Sequence, residues 1–316
     1  MKKLPRVVGI LAALGLMAAA PPRCVLQQIA DVPLRDDGGY LSIRVRIGDH
    51  AASLLVDTGS EGSLITPEAA SAFGLTQDAA HQTRVTGTGG MTRMVPNVMV
   101  PNLALAENLQ LGPLSLPVGA LPGSPRIVPA IAGLLGGDVL GQFDIVFDVK
   151  RQTLAFWRVS TPNAACRSPP DWHGRYTTLM PERDGARLSV AFTLDGQTGR
   201  ALLDSGARSR IVSIQFAARA GVDSEQLARD PGGTTSGIDF REALYHWHRF
   251  GSLRIGDDAP VRRPVLTVAP LHDDADMLLG ADWFAERPVW LSYATNRVFV
   301  AQMTERAAGQ GARVSP

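Results

Sequence analysis

The sequence predicts a mainly β fold with short helices, built as two similar lobes in tandem. Three observations predict it. Short runs alternate apolar and polar residues, as in Leu41, Ile43, Val45 and Ile47 against Ser42, Arg44 and Arg46, and this period of two is that of a half-buried strand. Gly and Pro turn signals punctuate those runs. The chain also repeats itself. The stretch from Tyr40 to Leu75 overlays that from Arg187 to Val222 without a gap, at an offset of 147 residues. Leu41 falls on Leu188, Ser42 on Ser189, Leu55 on Leu202, Asp57 on Asp204, Gly59 on Gly206 and Ala70 on Ala217. A second block, Leu134–Leu140, matches Leu278–Phe284 at nearly the same offset. Two blocks in the same order mean a duplicated unit, and the period is far too long for a solenoid.

Length and composition allow this. The chain has 316 residues, 45% of them apolar and 19% charged, enough for a sizeable core. The formal net charge is +1, and no Lys/Arg stripe is interleaved with aromatics. Nucleic acid and anionic membrane surfaces are therefore not expected partners.

In chain order, Lys2, Lys3 and Arg6 precede an apolar run, Val7–Ala20, that ends in small residues. This predicts a secretory signal over residues 1–22 and an exported, periplasmic protein. The alternative is an uncleaved segment anchored in the inner membrane, although a spanning helix needs about 20 residues. Pro21, Pro22 and Arg23 are the wrong context for lipidation of Cys24. The first lobe is expected over 23–160, a linker over 161–185, the second lobe over 186–302 and a flexible tail over 303–316. Too few residues separate Pro21 from Tyr40 for a long inhibitory prosegment. Cys24 and Cys166 flank the first lobe. They are read either as a bridge tying its start to its end, which export permits, or as two unpaired thiols.

Within each lobe, Gly48-Asp49 signals a turn and Leu54–Val56 a returning strand. A short helix follows, capped by Thr66, with Pro67 at its first position and Gly74 at its end. The stretches Asn108–Leu121 and Ser252–Val268 both read as strand, turn, strand. Asp138 and Asp282 recur just after the Gly block, which predicts a structural role such as capping the next turn. His246 and His248 alternate onto one strand face without an evident third ligand, so no metal is expected there. The run His272–Asp276 reads as a solvated acidic loop or, less simply, a cation site. No nucleophile elbow, phosphate loop or zinc spacing is present.

An Asp that ends a buried apolar strand is costly unless something satisfies or uses it. The chain writes this twice, as Leu-Leu-Val-Asp57-Thr58-Gly59-Ser60 and Leu-Leu-Asp204-Ser205-Gly206-Ala207. These triplets, with Leu134-Leu135-Gly136 and Leu278-Leu279-Gly280, resemble the aspartic proteases, more closely the bacterial retropepsin-like ones. The resemblance spans about Tyr40–Trp157 and Arg187–Val300. It implies two retropepsin-like β-barrel lobes fused into a pepsin-like bilobal fold with a central cleft. It implies an aspartic endopeptidase in which Asp57 and Asp204 form the catalytic dyad. Two facing carboxylates share one proton, and one can activate water while the other protonates the amide. No cofactor is expected, the substrate is a peptide or protein, and one chain completes the cleft as a monomer.

Supporting roles follow from the resemblance. Gly59 and Gly206 bring backbone N–H groups to the carboxylates, and the Thr58 and Ser205 hydroxyls cross-bond the lobes. Ser60 is expected to hydrogen-bond Asp57, which Ala207 cannot do for Asp204, making Asp204 the more readily protonated partner. Gly87, Gly89 and Gly90, with Thr88, would form the tip of a flap over the substrate, and Gly233, Ser236 and Gly237 would belong to a second flap; plain surface hairpins are the alternative. The alternatives are a non-catalytic peptide-binding module of the same fold, or a cell-envelope structural or assembly protein. Cleavage separates the first reading from these two.

Overall fold

The structure is a computed structural model that describes residues 24–87, 90–121, 130–160, 166, 172, 174–236 and 242–302. The expected signal segment, the tail, and Thr88, Gly89 and Gly237 lie outside the described residues. The fold is mainly β. Short helices decorate a 12-stranded, a 10-stranded and a 3-stranded sheet.

Each lobe is built on the same hairpin. Leu41–Ile47 pairs antiparallel with His50–Val56 across Gly48, whose φ of +56° suits a residue without a β-carbon. Ile43, Val45, Ile47, Leu54 and Val56 turn inward and are buried. In the second lobe Arg187–Leu194 pairs with Gln197–Leu203 across Asp195 and Gly196. The Gly blocks then insert as parallel strands beside each hairpin, Leu135 opposite Val56 and Leu279 opposite Leu203. The predicted helix is Pro67–Ala72, with the Thr66 hydroxyl accepting from the Ala69 N–H at 3.2 Å. Its copy is Ile214–Arg219, capped by Ser213.

The two regions expected to form flaps differ. Gln77–Thr86 pairs with Thr92–Val100 as a hairpin, and the Gly87 N–H donates to the Met91 carbonyl at 3.0 Å. Gly90 N–H donates to the Gly87 carbonyl at 2.9 Å. In the second lobe Gly232–Ser236 pairs with Glu242–Arg249. Gly233 and Ser236 therefore lie on the first arm of this pair. The glycines serve close packing: a β-carbon on Gly232 would lie 2.1 Å from the Tyr245 carbonyl oxygen, and one on Gly233 2.9 Å from the Tyr245 hydroxyl.

The expected linker is not loop throughout. Tyr176–Leu179 and Glu182–Asp184 are strands, because Thr177 and Leu179 bury a face that polar composition concealed. Tyr176–Leu179 pairs with Arg297–Ala301, which pairs with Val289–Ser292, which pairs with Asp144–Asp148 of the first lobe. A continuous sheet thus joins the two halves. Asp144 lies buried in this seam, where it accepts from the Ala294 N–H at 3.0 Å and the Ser292 hydroxyl at 2.5 Å. Trp157 and Trp290 pack above it, ring centroids 5.2 Å apart. Cys24 and Cys166 form a disulfide. It stands beside the pair Val25↔Ser160, so it ties the first strand of the lobe to its last. Among the described residues no helix is long and apolar enough to cross a membrane.

Candidate active site

Each Asp leaves its strand at the end of a buried apolar run and is held by the Gly-block strand beside it. The Asp57 N–H donates to the Leu135 carbonyl and the Asp204 N–H to the Leu279 carbonyl, both at 3.0 Å. The chain then turns back on the carboxylate. Asp57 Oδ1 accepts from the N–H groups of Gly59 (3.0 Å) and Ser60 (3.1 Å). Asp204 Oδ1 accepts from those of Gly206 and Ala207, both at 3.1 Å.

The loops face each other across the lobe boundary. A β-carbon on Gly59 would lie 2.4 Å from Asp204 Cγ, and one on Gly206 would lie 2.4 Å from Asp57 Cγ. Each glycine is thus the floor under the opposite carboxyl, and the two carboxyls face each other. Beneath them the Thr58 hydroxyl donates to the Leu203 carbonyl (2.7 Å) and accepts from the Ser205 N–H (3.1 Å). The Ser205 hydroxyl donates to the Val56 carbonyl (2.6 Å) and accepts from the Thr58 N–H (3.1 Å). Four buried hydrogen bonds in a closed ring rigidify the pair, since breaking one leaves a buried polar group unsatisfied.

Burial raises the titration of both carboxyls above the ordinary carboxylate value. Asp204 is raised further, because the Asp57 charge adds to its burial. For Asp57 the hydrogen bond with Asp204, the Gly59 and Ser60 N–H groups and the Arg187 guanidinium all oppose burial. The two carboxyls therefore titrate as a pair, with Asp204 the more strongly raised. The Ser60 hydroxyl donates to the Gly62 carbonyl at 2.8 Å and not to Asp57. Ser60 and Ala207 each offer only an N–H, and a side chain cannot break that symmetry.

A stability prediction follows from the sign of these shifts. Between about the ordinary value of 3.8 and the raised ones, the folded chain binds more protons than the unfolded chain. The contribution is fully present below that ordinary value and is lost as pH rises through the raised values. The urea midpoint is expected to fall from pH 4 to pH 7, and Asp204→Asn to flatten that slope. Equal slopes in the two proteins would contradict it.

The repeated acids after the Gly blocks are structural. Asp138 accepts from the Ser63 N–H (2.9 Å), the Ser63 hydroxyl (2.6 Å) and the Val139 N–H (2.8 Å). Asp282 accepts from Trp283 N–H (2.8 Å) and pairs with Arg210 (3.0 Å), the residue that replaces Ser63 in the second copy. The acidic loop 272–276 is not simply solvated. Asp273 pairs with Arg187, and Asp276 pairs with Arg219 at 2.5 Å. His248 pairs with Asp230 at 2.6 Å. Among the described residues no cluster of three or more His, Cys, Asp or Glu could hold a metal. A shallow cavity of about 630 Å³ beside Trp247 and Arg210 contains neither dyad carboxylate.

Arg187, ion-paired with Asp273, is the charged group acting on Asp57 that sequence reading missed. The signal was present in the repeat itself: Arg187 falls on Tyr40, so one copy has a charge where the other has none.

Comparison with known proteins adds three findings. Among solved structures, the chain is similar to basic 7S globulin from soybean at 13% identity and a TM-score of 0.48, over 92% of this chain and 97% of that one. No curated protein matches it. The family model described as aspartyl protease matches residues 43–139 and 190–283. Each match contains one Asp-[Thr/Ser]-Gly triplet and one Leu-Leu-Gly block, and the chain belongs to the aspartyl protease family.

Proposed function

We propose that the protein is an exported, single-chain aspartic endopeptidase whose dyad is Asp57 and Asp204. The observation that carries this reading is the pair of facing carboxyls, each seated on the other lobe's glycine. Ionised Asp57 takes a proton from a water held between the carboxyls, and the water oxygen bonds to the peptide carbonyl carbon. Asp204 gives its proton to the carbonyl oxygen, forming a neutral gem-diol. Asp57 then returns a proton to the amide nitrogen, Asp204 recovers one from a diol hydroxyl, and the C–N bond breaks. A carboxylic acid and an amine leave, and the dyad regains its single proton.

The substrate lies extended between the lobes, beneath the hairpin that carries Gly87 and Gly90. Partly buried Ala207, Ile211 and Leu271 form a small apolar cluster with Leu202, Ala275 and Leu278. This supports an apolar side chain on the second-lobe side of the scissile bond. One chain supplies both carboxylates, so the protein acts as a monomer. Export is supported by the Cys24–Cys166 disulfide.

The test is digestion of a peptide library from pH 3 to 8 in water enriched in oxygen-18, read by mass spectrometry. One heavy oxygen is expected in each newly formed carboxyl terminus. Intact peptides across the whole range would overturn the reading and favour a binding module.

A further inference from the structure

The second lobe carries a cavity that peptide hydrolysis at the dyad does not use. Its volume is about 630 Å³, within the range of sites that hold small ligands. Its floor is one face of the sheet. Trp247 stands opposite Thr267, and Arg249 opposite Val265, so two cross-strand pairs present their side chains to the same side. Ser209, Arg210 and Asp282 wall the cavity beyond the Thr267 strand, and Asp230 and Pro231 wall it beyond the Trp247 strand. Trp247 is 45% exposed. Tyr245, two residues back on the same strand, braces its ring at a centroid distance of 5.3 Å. An exposed indole rimmed by polar groups marks a contact surface.

Charge and backbone narrow the ligand. Arg210 lies between Asp282 (3.0 Å) and Glu286 (2.9 Å), and Asp230 pairs with His248 (2.6 Å). Among the described residues Arg249 meets no acid, and its guanidinium donates to the Arg263 carbonyl at 3.4 Å. Two arginines thus stand among three acids, which favours neither a polyanion nor a polycation. Donors and acceptors face the cavity together, and a neutral polar ligand can use both. A peptide added as a further strand has nothing to pair with. Glu242–Arg249 and Val265–Ala269 are interior strands, flanked by Gly232–Ser236 and Ile211–Ser213. The Trp247 N–H already donates to the Pro231 carbonyl (2.8 Å), and the Thr267 N–H to the Arg210 carbonyl (3.3 Å). What remains is recognition by side chains, with an apolar face on the indole and polar groups at the rim. A sugar ring has that form, with C–H groups on its faces and hydroxyls around its edge.

We propose that this cavity binds a neutral saccharide, with one ring stacked on Trp247 and its hydroxyls bonded to Arg249, Asp230 and Asp282. The Asp282 acceptor is pre-oriented, because its partner Arg210 is only 17% exposed and held by two acids. The Ser209 and Thr267 hydroxyls, 3.1 Å apart, fix each other beside it. Neither Asp57 nor Asp204 lines the cavity, so saccharide binding does not depend on cleavage.

The test follows the indole N–H signals of the five tryptophans by NMR in the nitrogen-15 labelled full chain, with Trp247 assigned from Trp247→Phe. The probes are cellotetraose, maltotetraose and chitotetraose, with tetragalacturonate as an anionic counterpart and a pool of unglycosylated peptides as competitor. At least one neutral tetrasaccharide is expected to move the Trp247 signal and leave the others in place. Trp247→Ala is expected to weaken that binding about tenfold, the worth of one aromatic stack. Leu244→Ala, on the opposite face of the same strand and 64% exposed, is expected to leave it unchanged. Circular dichroism of both variants is expected to match the wild type, because neither side chain is in the core. No shift with any neutral tetrasaccharide, or full affinity in Trp247→Ala, would overturn the proposal. So would binding of tetragalacturonate alone, which would make the cavity an anion site at Arg249. Displacement by the peptide pool would overturn it too, by making the cavity a peptide groove.

Discussion

Asp57→Asn and Asp204→Asn are each expected to lower peptide cleavage by about 10⁴-fold or more, with the fold intact. The two variants fail for different reasons. An amide at 57 cannot take the proton from water, because its nitrogen is a donor and its oxygen a feeble base. An amide at 204 can still donate a hydrogen bond to Asp57, but it has no labile proton for the carbonyl oxygen. The losses should not add: the double variant is expected to be about as inactive as either single one, since the carboxyls act as a unit. Both single variants keep the backbone bonds at 3.0–3.1 Å that define the loops. Their circular dichroism should therefore match the wild type. Cleavage that survives in either variant would remove that residue from the dyad.

Gly206→Ala and Gly59→Ala are expected to be nearly as damaging, and through geometry alone. The added methyl would stand 2.4 Å from the carboxyl carbon of the opposite Asp. Neither carboxyl can yield easily, because each is pinned by two N–H groups and by its partner. The lobes must part or the loop must shift, and overpacking of this kind costs about 2–3 kcal/mol. Rate suffers further, since misplacement by about 1 Å is worth about 10²-fold. Chemical denaturation and cleavage should fall together. Gly174→Ala is the control, as nothing lies within 4 Å of its added carbon. Wild-type activity in Gly206→Ala would mean that the loops do not meet as described.

Much of this site was legible in the residues. Asp57 and Asp204 each end an apolar strand, and that oddity repeats at one offset. Thr66, Pro67 and Gly74 gave the helix its limits, because capping chemistry is local. What escaped was decided by tertiary contact. The Ser60 hydroxyl had two acceptors in reach of sequence reasoning, and the Gly62 carbonyl took it. Gly233 was read for a second flap, and it and Gly232 serve the approach of Tyr245 within a ladder. The acidic run at His272–Asp276 could not disclose that Arg187 and Arg219, distant in the chain, would meet it. Nor could Tyr176–Leu179 reveal that its partner lies at Val298–Ala301.

The sheet that joins the halves also sets an order of events during synthesis. Asp144–Asp148 has one neighbour made soon after it, Thr153–Ser160, and another, Val289–Ser292, among the last strands made. A nascent chain that has completed its first half therefore carries an open edge of unpaired N–H and C=O groups, a template for wrong pairing. At the same stage the Asp144 carboxyl waits for donors that come about 150 residues later, at Ser292 and Ala294. Contacts this far apart in sequence close slowly. The first half of the molecule is thus finished by a strand of the second, and a ribosome that stalls before residue 289 releases a piece that cannot seal itself.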